Sequence, residues 1–378
     1  MTKQLTALIL QGGGALGAYQ AGVYEQLSAQ HFQPDWIVGT SIGAINGAII
    51  AGNRPEHRVA KLRAFWDSLA PASSWLDAWS PVAWAEIFNP FAAAMGVTTR
   101  NGAVLGAMSQ GIAGFFSPRL GVNCGINAPV AIADAGFYDT SPLRQTLLDH
   151  VDYDYLNSGP VRLSVCAVNV ASGEMKVFDS NDKEPLGPEH IMASGALPPA
   201  FPPVIIGGQA YWDGGIYSNT PLEVLLAEDA NRDGLFFMID LWDPSEALPQ
   251  SMAEVMERQK SIQFAGRARE QLKIRAREEK LQQAIRALAA LVPADQLQDP
   301  AVAKLAAKGC DRTIQIVRLI MRQLQSDDQF KDVDFTAATV NARWAAGKAD
   351  AARALEHKSW LKPVPPHSGI IIHELEQG

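Results

Sequence analysis

The chain has 378 residues, 47% of them hydrophobic and 19% charged, with a formal net charge of -8. That length can hold one large α/β domain or two modest ones around a sizeable core, and the composition is globular, neither disordered nor fibrous. The acidic balance gives no reason to expect nucleic acid as a partner, and Cys124, Cys166 and Cys310 are too scattered for a disulfide framework or a C-x-x-C motif.

The N-terminus lacks a long apolar signal region, and no run approaches the ~18–20 apolar residues that span a bilayer, so the expected location is the cytoplasm. Leu5 to Gln11 reads as a buried strand and Ala15 to Leu27 as the helix after it. Between them, Gly12-Gly13-Gly14-Ala15-Leu16-Gly17 matches G-x-G-x-x-G. Such a loop is either a dinucleotide fingerprint or an oxyanion-binding loop whose backbone N–H groups face developing negative charge. A dinucleotide site needs an acid at the end of the second strand, to hold the ribose. Asp35 instead precedes the apolar run Trp36 to Val38, and Gly39-Thr40-Ser41 occupies the strand's exit. The oxyanion reading is therefore the stronger.

Ser41 lies in Gly39-Thr40-Ser41-Ile42-Gly43, between that apolar run and an Ala- and Ile-rich helical stretch reaching about Ala51. Strand, sharp turn and helix is the context in which a G-x-S-x-G serine becomes an exposed nucleophile, with glycines where side chains would collide with backbone. After the loop Gly52 to Pro55, Arg58 to Leu69 reads as another helix. From about Ser73 to Pro129 the chain interleaves Trp75, Trp79, Trp84, Phe88, Phe91, Phe115 and Phe116 with small residues and little charge. Such a stretch suits an insertion over a cleft, able to line an acyl chain or meet a membrane, and equally suits simple packing on the main domain.

Ser141 to His150 reads as a helix, Val161 to Val170 and Glu174 to Phe178 as a hairpin, and Val204 to Ile206 with Ala210 to Trp212 as a second one. Between the hairpins, Ala193-Ser194 to Pro198 is a small-residue segment able to approach another backbone closely. The second hairpin ends at Asp213-Gly214-Gly215, which places a carboxylate at a strand end. Leu235 to Leu241 is a further buried strand, after which helical patterns run over Met252 to Leu291, Asp311 to Gln325 and Phe335 to His357. The section Glu254 to Arg286 carries five acids and nine bases, a basic face laced with pairs such as Glu270 with Lys273 that can also meet anionic headgroups. Gly369 to His373 reads as a closing edge strand. The expected division is a catalytic domain over 1–245, with an insertion over about 73–130, and a helical extension over 246–378.

Acyl transfer needs a nucleophile, a base and oxyanion donors. Ser41 supplies the first and the loop Gly12, Gly13 and Gly14 the third. None of His31, His57, His150, His190, His357, His367 or His373 lies in a Gly-rich strand-end setting; only His190 is near a site-like segment, which it can support by a hydrogen bond. Asp213 has the required placement, although a carboxylate with an ordinary pKa near ~3.9 is a weak base unless burial and geometry compensate. No metal-ligand motif is present, so neither metal nor cofactor is expected.

The four ordered blocks, Gly12 to Gly17, Gly39 to Gly43, Ala193-Ser194 with Pro198, and Asp213 to Gly215, resemble those of the patatin-like phospholipase family over roughly residues 5 to 242. The resemblance implies a three-layer α/β/α acyl hydrolase with Ser41 as nucleophile, Asp213 as base and an oxyanion hole from the glycine loop. Gly17, Gly39, Gly43, Gly214 and Gly215 would support the motif. Implied substrates are phospholipids or other fatty acyl esters; an acyltransferase or a hydroxyalkanoate-ester hydrolase could use the same dyad, and a lipid-binding scaffold is the non-enzymatic alternative. Leu16 stands where the family usually carries Arg or Lys, which removes a fixed positive charge and leaves the backbone donors. The tail resembles the helical extension of a bacterial subgroup of that family.

Overall fold

The computed structural model describes residues 4–70, 111–119, 129–227, 232–245, 248–324, 327, 330–362, 364 and 368–374. Most of the expected aromatic insertion lies outside them. Its end is described: Phe115 and Phe116 pack on Phe201, and Phe115 also on Phe335.

β1 (Leu5–Leu10), β2 (Trp36–Thr40), β5 (Arg162–Asn169) and β9 (Gly234–Asp240) form the centre of a nine-stranded sheet. β10 (Ile314–Ile320) and β11 (Ile370–Glu374) extend it in parallel beyond β9. The antiparallel strands β6 (Met175–Asp179), β7 (Val204–Ile206) and β8 (Gln209–Asp213) close the other side. A two-residue pair, β3 (Ser117–Pro118) with β4 (Tyr138–Asp139), stands apart.

Alternate residues of β1 enter different cores, which explains its apolar run from Ala7 to Leu10. Leu8 and Leu10 pack with α1 (Ala18–Ala29), α2 (Ile42–Ala51), α3 (Pro55–Leu69) and α10 (Ala337–His357). Ala7 and Ile9 pack on the opposite face with Leu222 and Leu225 of α7 (Leu222–Leu226) and Leu272 of α8 (Met252–Ala289). The expected three layers are thus present. Four shorter helices complete the described set: α4 (Ser141–His150), α5 (Tyr153–Ser158), α6 (Pro188–Ser194) and α9 (Pro300–Ala306).

The tail departs from the helical reading of Asp311 to Gln325, because Ile314–Ile320 is strand β10. Its Ile-Gln-Ile-Val-Arg-Leu-Ile sequence is rich in β-branched residues, which favour a pleated, doubly covered position over a helix. A boundary at residue 245 would cut the sheet between β9 and β10, whose register runs from Gly234 opposite Ile314 to Asp240 opposite Ile320.

Candidate active site

β5 brings the two candidate catalytic residues together. It pairs in parallel with β2 as far as Cys166 opposite Thr40, and antiparallel with β8 from Ala167 opposite Asp213. β6 occupies the other edge at the same positions, so β2 and β8 abut along one edge of β5. Ser41, the residue after Thr40, therefore emerges beside Asp213.

Ser41 caps α2 with φ 55° and ψ -124°, a strained conformation for a non-glycine residue that costs about 1–3 kcal/mol and turns its side chain out of the strand. A Cβ on Gly43 would lie 2.2 Å from the Leu10 carbonyl oxygen, and one on Gly39 would lie 2.5 Å from the Gly43 carbonyl oxygen, so the G-x-S-x-G glycines are steric requirements of the turn. The Ser41 N–H donates to Ser194 Oγ at 2.9 Å, and that hydroxyl donates to the Cys166 carbonyl at 2.6 Å. Ser194, at the end of α6, thus ties the Ser41 backbone to β5.

Asp213 is 3% exposed, its carboxylate accepts the Gly215 N–H at 2.7 Å, and the Ser41 hydroxyl lies beside it, near enough to lower its pKa. Burial pushes its carboxyl up to about 7, against the lowering effect of those two donors. Gly214 lets the chain pass β5: a Cβ there would sit 2.4 Å from the Cys166 carbonyl oxygen.

The glycine loop lies against the nucleophile, since a Cβ on Gly12 would be 3.1 Å from that of Ser41. Its three expected donors differ. Gly12 N–H is engaged by the Asn219 carbonyl at 3.3 Å, whereas Gly13 and Gly14 N–H have no partner among the described residues. The Gly12 carbonyl accepts from Asn219 Nδ2 at 3.0 Å and from Trp242 Nε1 at 2.9 Å. In a planar trans peptide C=O and N–H point opposite ways, so this anchoring turns the Gly13 N–H away from Trp242 and Asn219. Gly17 caps α1 and its carbonyl accepts from Asn46 Nδ2 at 3.0 Å. Leu16 is fully buried in the core, so the position holds packing side chain in place of charge.

Asp35 accepts from Thr6 N–H and Thr6 Oγ1 at 3.0 and 2.7 Å, before β2 begins. That is the wrong end of the strand for a ribose. His190 does not reach the dyad: its Nδ1 accepts the Gly187 N–H at 2.9 Å, at the start of α6, and burial lowers its pKa. Among the described residues no histidine hydrogen-bonds to Ser41 or Asp213, and no group of three or more His, Cys, Asp or Glu residues is placed to hold a metal. His367 lies outside the described residues. Sequence reading missed the loop anchors Asn219 and Trp242, and also Asp332, whose carbonyl accepts the Ala15 N–H at 2.8 Å. Asn219 follows Asp213 by six residues and Trp242 ends the β9 run, but nothing local marks either as a partner of Gly12.

Compared with known proteins, the chain matches a family model described as patatin-like phospholipase over residues 8–226 and one described as patatin phospholipase over residues 262–367. Among solved structures it is similar to VipD from Legionella pneumophila, at 13% identity and a TM-score of 0.37, with 94% of this chain and 67% of that one covered. The type III effector protein ExoU aligns at 13% identity and a TM-score of 0.33, covering 93% of this chain and 53% of that chain. Full-length SpcU in complex with full-length ExoU, from the type III secretion system of Pseudomonas aeruginosa, aligns at 15% identity and a TM-score of 0.28, covering 96% and 75%. The chain thus spans about half of one ExoU chain. No curated protein sequence matches it.

Proposed function

The chain belongs to the patatin-like phospholipase family and is a hydrolase of carboxylic esters of lipids; from that premise, we propose that it cleaves them through an acyl-Ser41 intermediate with Asp213 as the base. The observation that supports this most is the juxtaposition of Ser41, at the exit of β2, with a buried carboxylate at the end of β8 whose pKa is pushed up to about 7. A base poised near the working pH couples a large deprotonated fraction to real proton affinity.

Asp213 takes the proton as Ser41 Oγ bonds to the acyl carbon. The carbonyl oxygen becomes an oxyanion facing the Gly13 and Gly14 N–H groups, with the N-terminus of α2 adding favourable dipole. Collapse of the intermediate breaks the ester C–O bond, and the alcohol leaves with the proton from Asp213. Water then attacks the acyl-Ser41, Asp213 accepting its proton, and the fatty acid is released as Ser41 Oγ regains one. On this reading the substrates are phospholipase A or lipase esters. With Leu16 in the loop, the carbonyl and not a headgroup phosphate is what the loop recognises.

The test is labelling by a fluorophosphonate together with hydrolysis of a chromogenic acyl ester. Ser41→Ala should lose both, with a fall of at least about 10³-fold in kcat. Ester hydrolysis persisting in folded Ser41→Ala protein would overturn the mechanism.

No helix of the described residues is long and apolar enough to cross a membrane. The basic face of α8 is read first as a solvated surface laced with ion pairs such as Glu270–Lys273, which stands at 3.4 Å, with contact to anionic headgroups as the lesser alternative.

A further inference from the structure

The C-terminal extension reaches the glycine loop at both ends through two adjacent residues, Lys331 and Asp332. The Asp332 carbonyl accepts the Ala15 N–H at 2.8 Å. It lies so close to Gly14, which has φ +55°, that a Cβ there would be 2.2 Å from the same oxygen. The Asp332 carboxylate is held in turn by Lys260 Nζ of α8, at 2.7 and 2.9 Å from its two oxygens. Lys331 goes the other way. Its buried ammonium pairs with Glu257 of α8, donates to Ser261 Oγ at 3.2 Å, and stands 5.3 Å from the Trp242 ring centroid. Trp242 is also packed against Phe264 of α8, at 5.0 Å between ring centroids, and donates to the Gly12 carbonyl.

The peptide unit joining Gly12 and Gly13 is therefore fixed by its carbonyl, and the unit joining Gly14 and Ala15 by its N–H. Between these two anchors lie the two N–H groups without partners among the described residues, those of Gly13 and Gly14. The peptide unit joining Gly13 and Gly14 has one tie within the loop, its carbonyl accepting the Leu16 N–H at 3.1 Å; because glycine backbone is conformationally permissive, the two flanking units depend on the anchors from outside. Preorganised donors stabilise an oxyanion because they need not reorient during the reaction.

We propose that the Lys331–Asp332 strap, clamped to α8 by Lys260, positions the glycine loop for oxyanion binding, which makes the C-terminal extension part of the catalytic apparatus. Lys260 and Asp332 are positioning residues in this scheme, acting through the main chain of Gly14 and Ala15. The inference rests on the Ser41 reading above. It accounts for a chain whose catalytic motifs end at Gly215 and whose sheet nevertheless continues into β10 and β11.

The test is Lys260→Met in the full chain, since Lys260 is partly exposed and its ammonium anchors the Asp332 carboxylate. A loop that is no longer held should lower kcat about tenfold while KM for a short-chain ester stays within twofold, because the interaction is gained in the transition state. Inhibition by a trifluoromethyl ketone acyl analogue, whose adduct carries the oxyanion, should weaken by the same factor. Lys260→Arg should restore most of both. If Lys260→Met fails to fold, Asp332→Asn keeps the main-chain carbonyl, weakens its anchor and carries the same expectation. Unchanged kcat and unchanged ketone inhibition in whichever variant folds would overturn the proposal, as would a loss that Lys260→Arg does not restore. Failure of the dyad reading itself would show separately, as activity surviving Ser41→Ala.

Discussion

The nucleophile turn and the glycine loop are both glycine-rich turns joining a central parallel strand to a helix, yet they are held in different ways. The turn around Ser41 is fixed mainly by its own neighbours: Gly39 and Gly43 permit the close backbone, and the first turn of α2 bonds back to the Ser41 carbonyl from Ala44 and Ile45, at 2.9 and 3.2 Å. The loop at Gly12 to Ala15 has one internal tie, the Leu16 N–H to the Gly13 carbonyl at 3.1 Å, and its other anchors are Asn219, Trp242 and Asp332, more than two hundred residues away. A turn fixed by local sterics carries its signature in a few consecutive residues; a loop fixed by remote partners does not.

The contrast can be broken most severely at the dyad. Asp213→Asn keeps shape and burial but removes the proposed base, and should lower kcat by about 10³-fold in an ester assay. The same variant has a second, opposite effect. The folded pKa of Asp213, about 7, lies above its ordinary value of 3.8. The folded protein therefore binds this proton more tightly than the unfolded chain does. The associated stability is full below the unfolded value and is lost as pH rises to about 7, then stays lost. Asparagine does not ionise, so above that pH the variant should melt higher than the parent, by a term on the order of a few kcal/mol that vanishes in acid.

The support of the nucleophile turn is probed by Ser194→Ala. It removes the acceptor of the Ser41 N–H and leaves the Cys166 carbonyl without that donor, and should reduce kcat about 30-fold with a stability loss of about 1–3 kcal/mol, read by steady-state kinetics and thermal melting. For the loop, Trp242→Phe keeps an aromatic ring and deletes one donor to the Gly12 carbonyl, leaving Asn219 in place. A fall of about tenfold in kcat at little changed KM is expected. An equal and large loss in both variants would show that the two turns are not supported as differently as their contacts suggest. The mildest probe is pH in the wild type: kcat/KM should fall about tenfold per unit below about 7 and level above it, in a profile on a non-ionising ester.

Much of the fold was legible because its signals are local. The buried strands at Leu5–Leu10, Trp36–Thr40 and Gly234–Asp240 carry the apolar runs Ala7 to Leu10, Trp36 to Val38 and Leu235 to Ile239, and the hairpins β5–β6 and β7–β8 carry turn glycines at Gly173, Gly207 and Gly208, all at positive φ. β10 was not legible. A short apolar run that packs on both faces has no amphipathic period to separate it from a buried helix, and only pairing with β9 settles the choice. His190 misled for a similar reason, since nearness in sequence to Ser194 says nothing of which way a ring turns.

By itself, the sequence determined the chemical inventory: a serine on a turn that forces it out, a carboxylate at a strand end, and a run of glycines with free backbone. Those follow from backbone sterics over five or six residues, and steric rules read the same in any fold. Only the tertiary structure decided that Ser41 meets Asp213, because that meeting needs β2 and β8 to share one edge of β5. It alone raised the Asp213 pKa, through burial, and left the Gly13 and Gly14 N–H groups between anchors drawn from Asn219, Trp242 and Asp332. Dielectric environment and the orientation of a glycine peptide are set by whatever packs around them, and in this chain much of that packing comes from beyond residue 240.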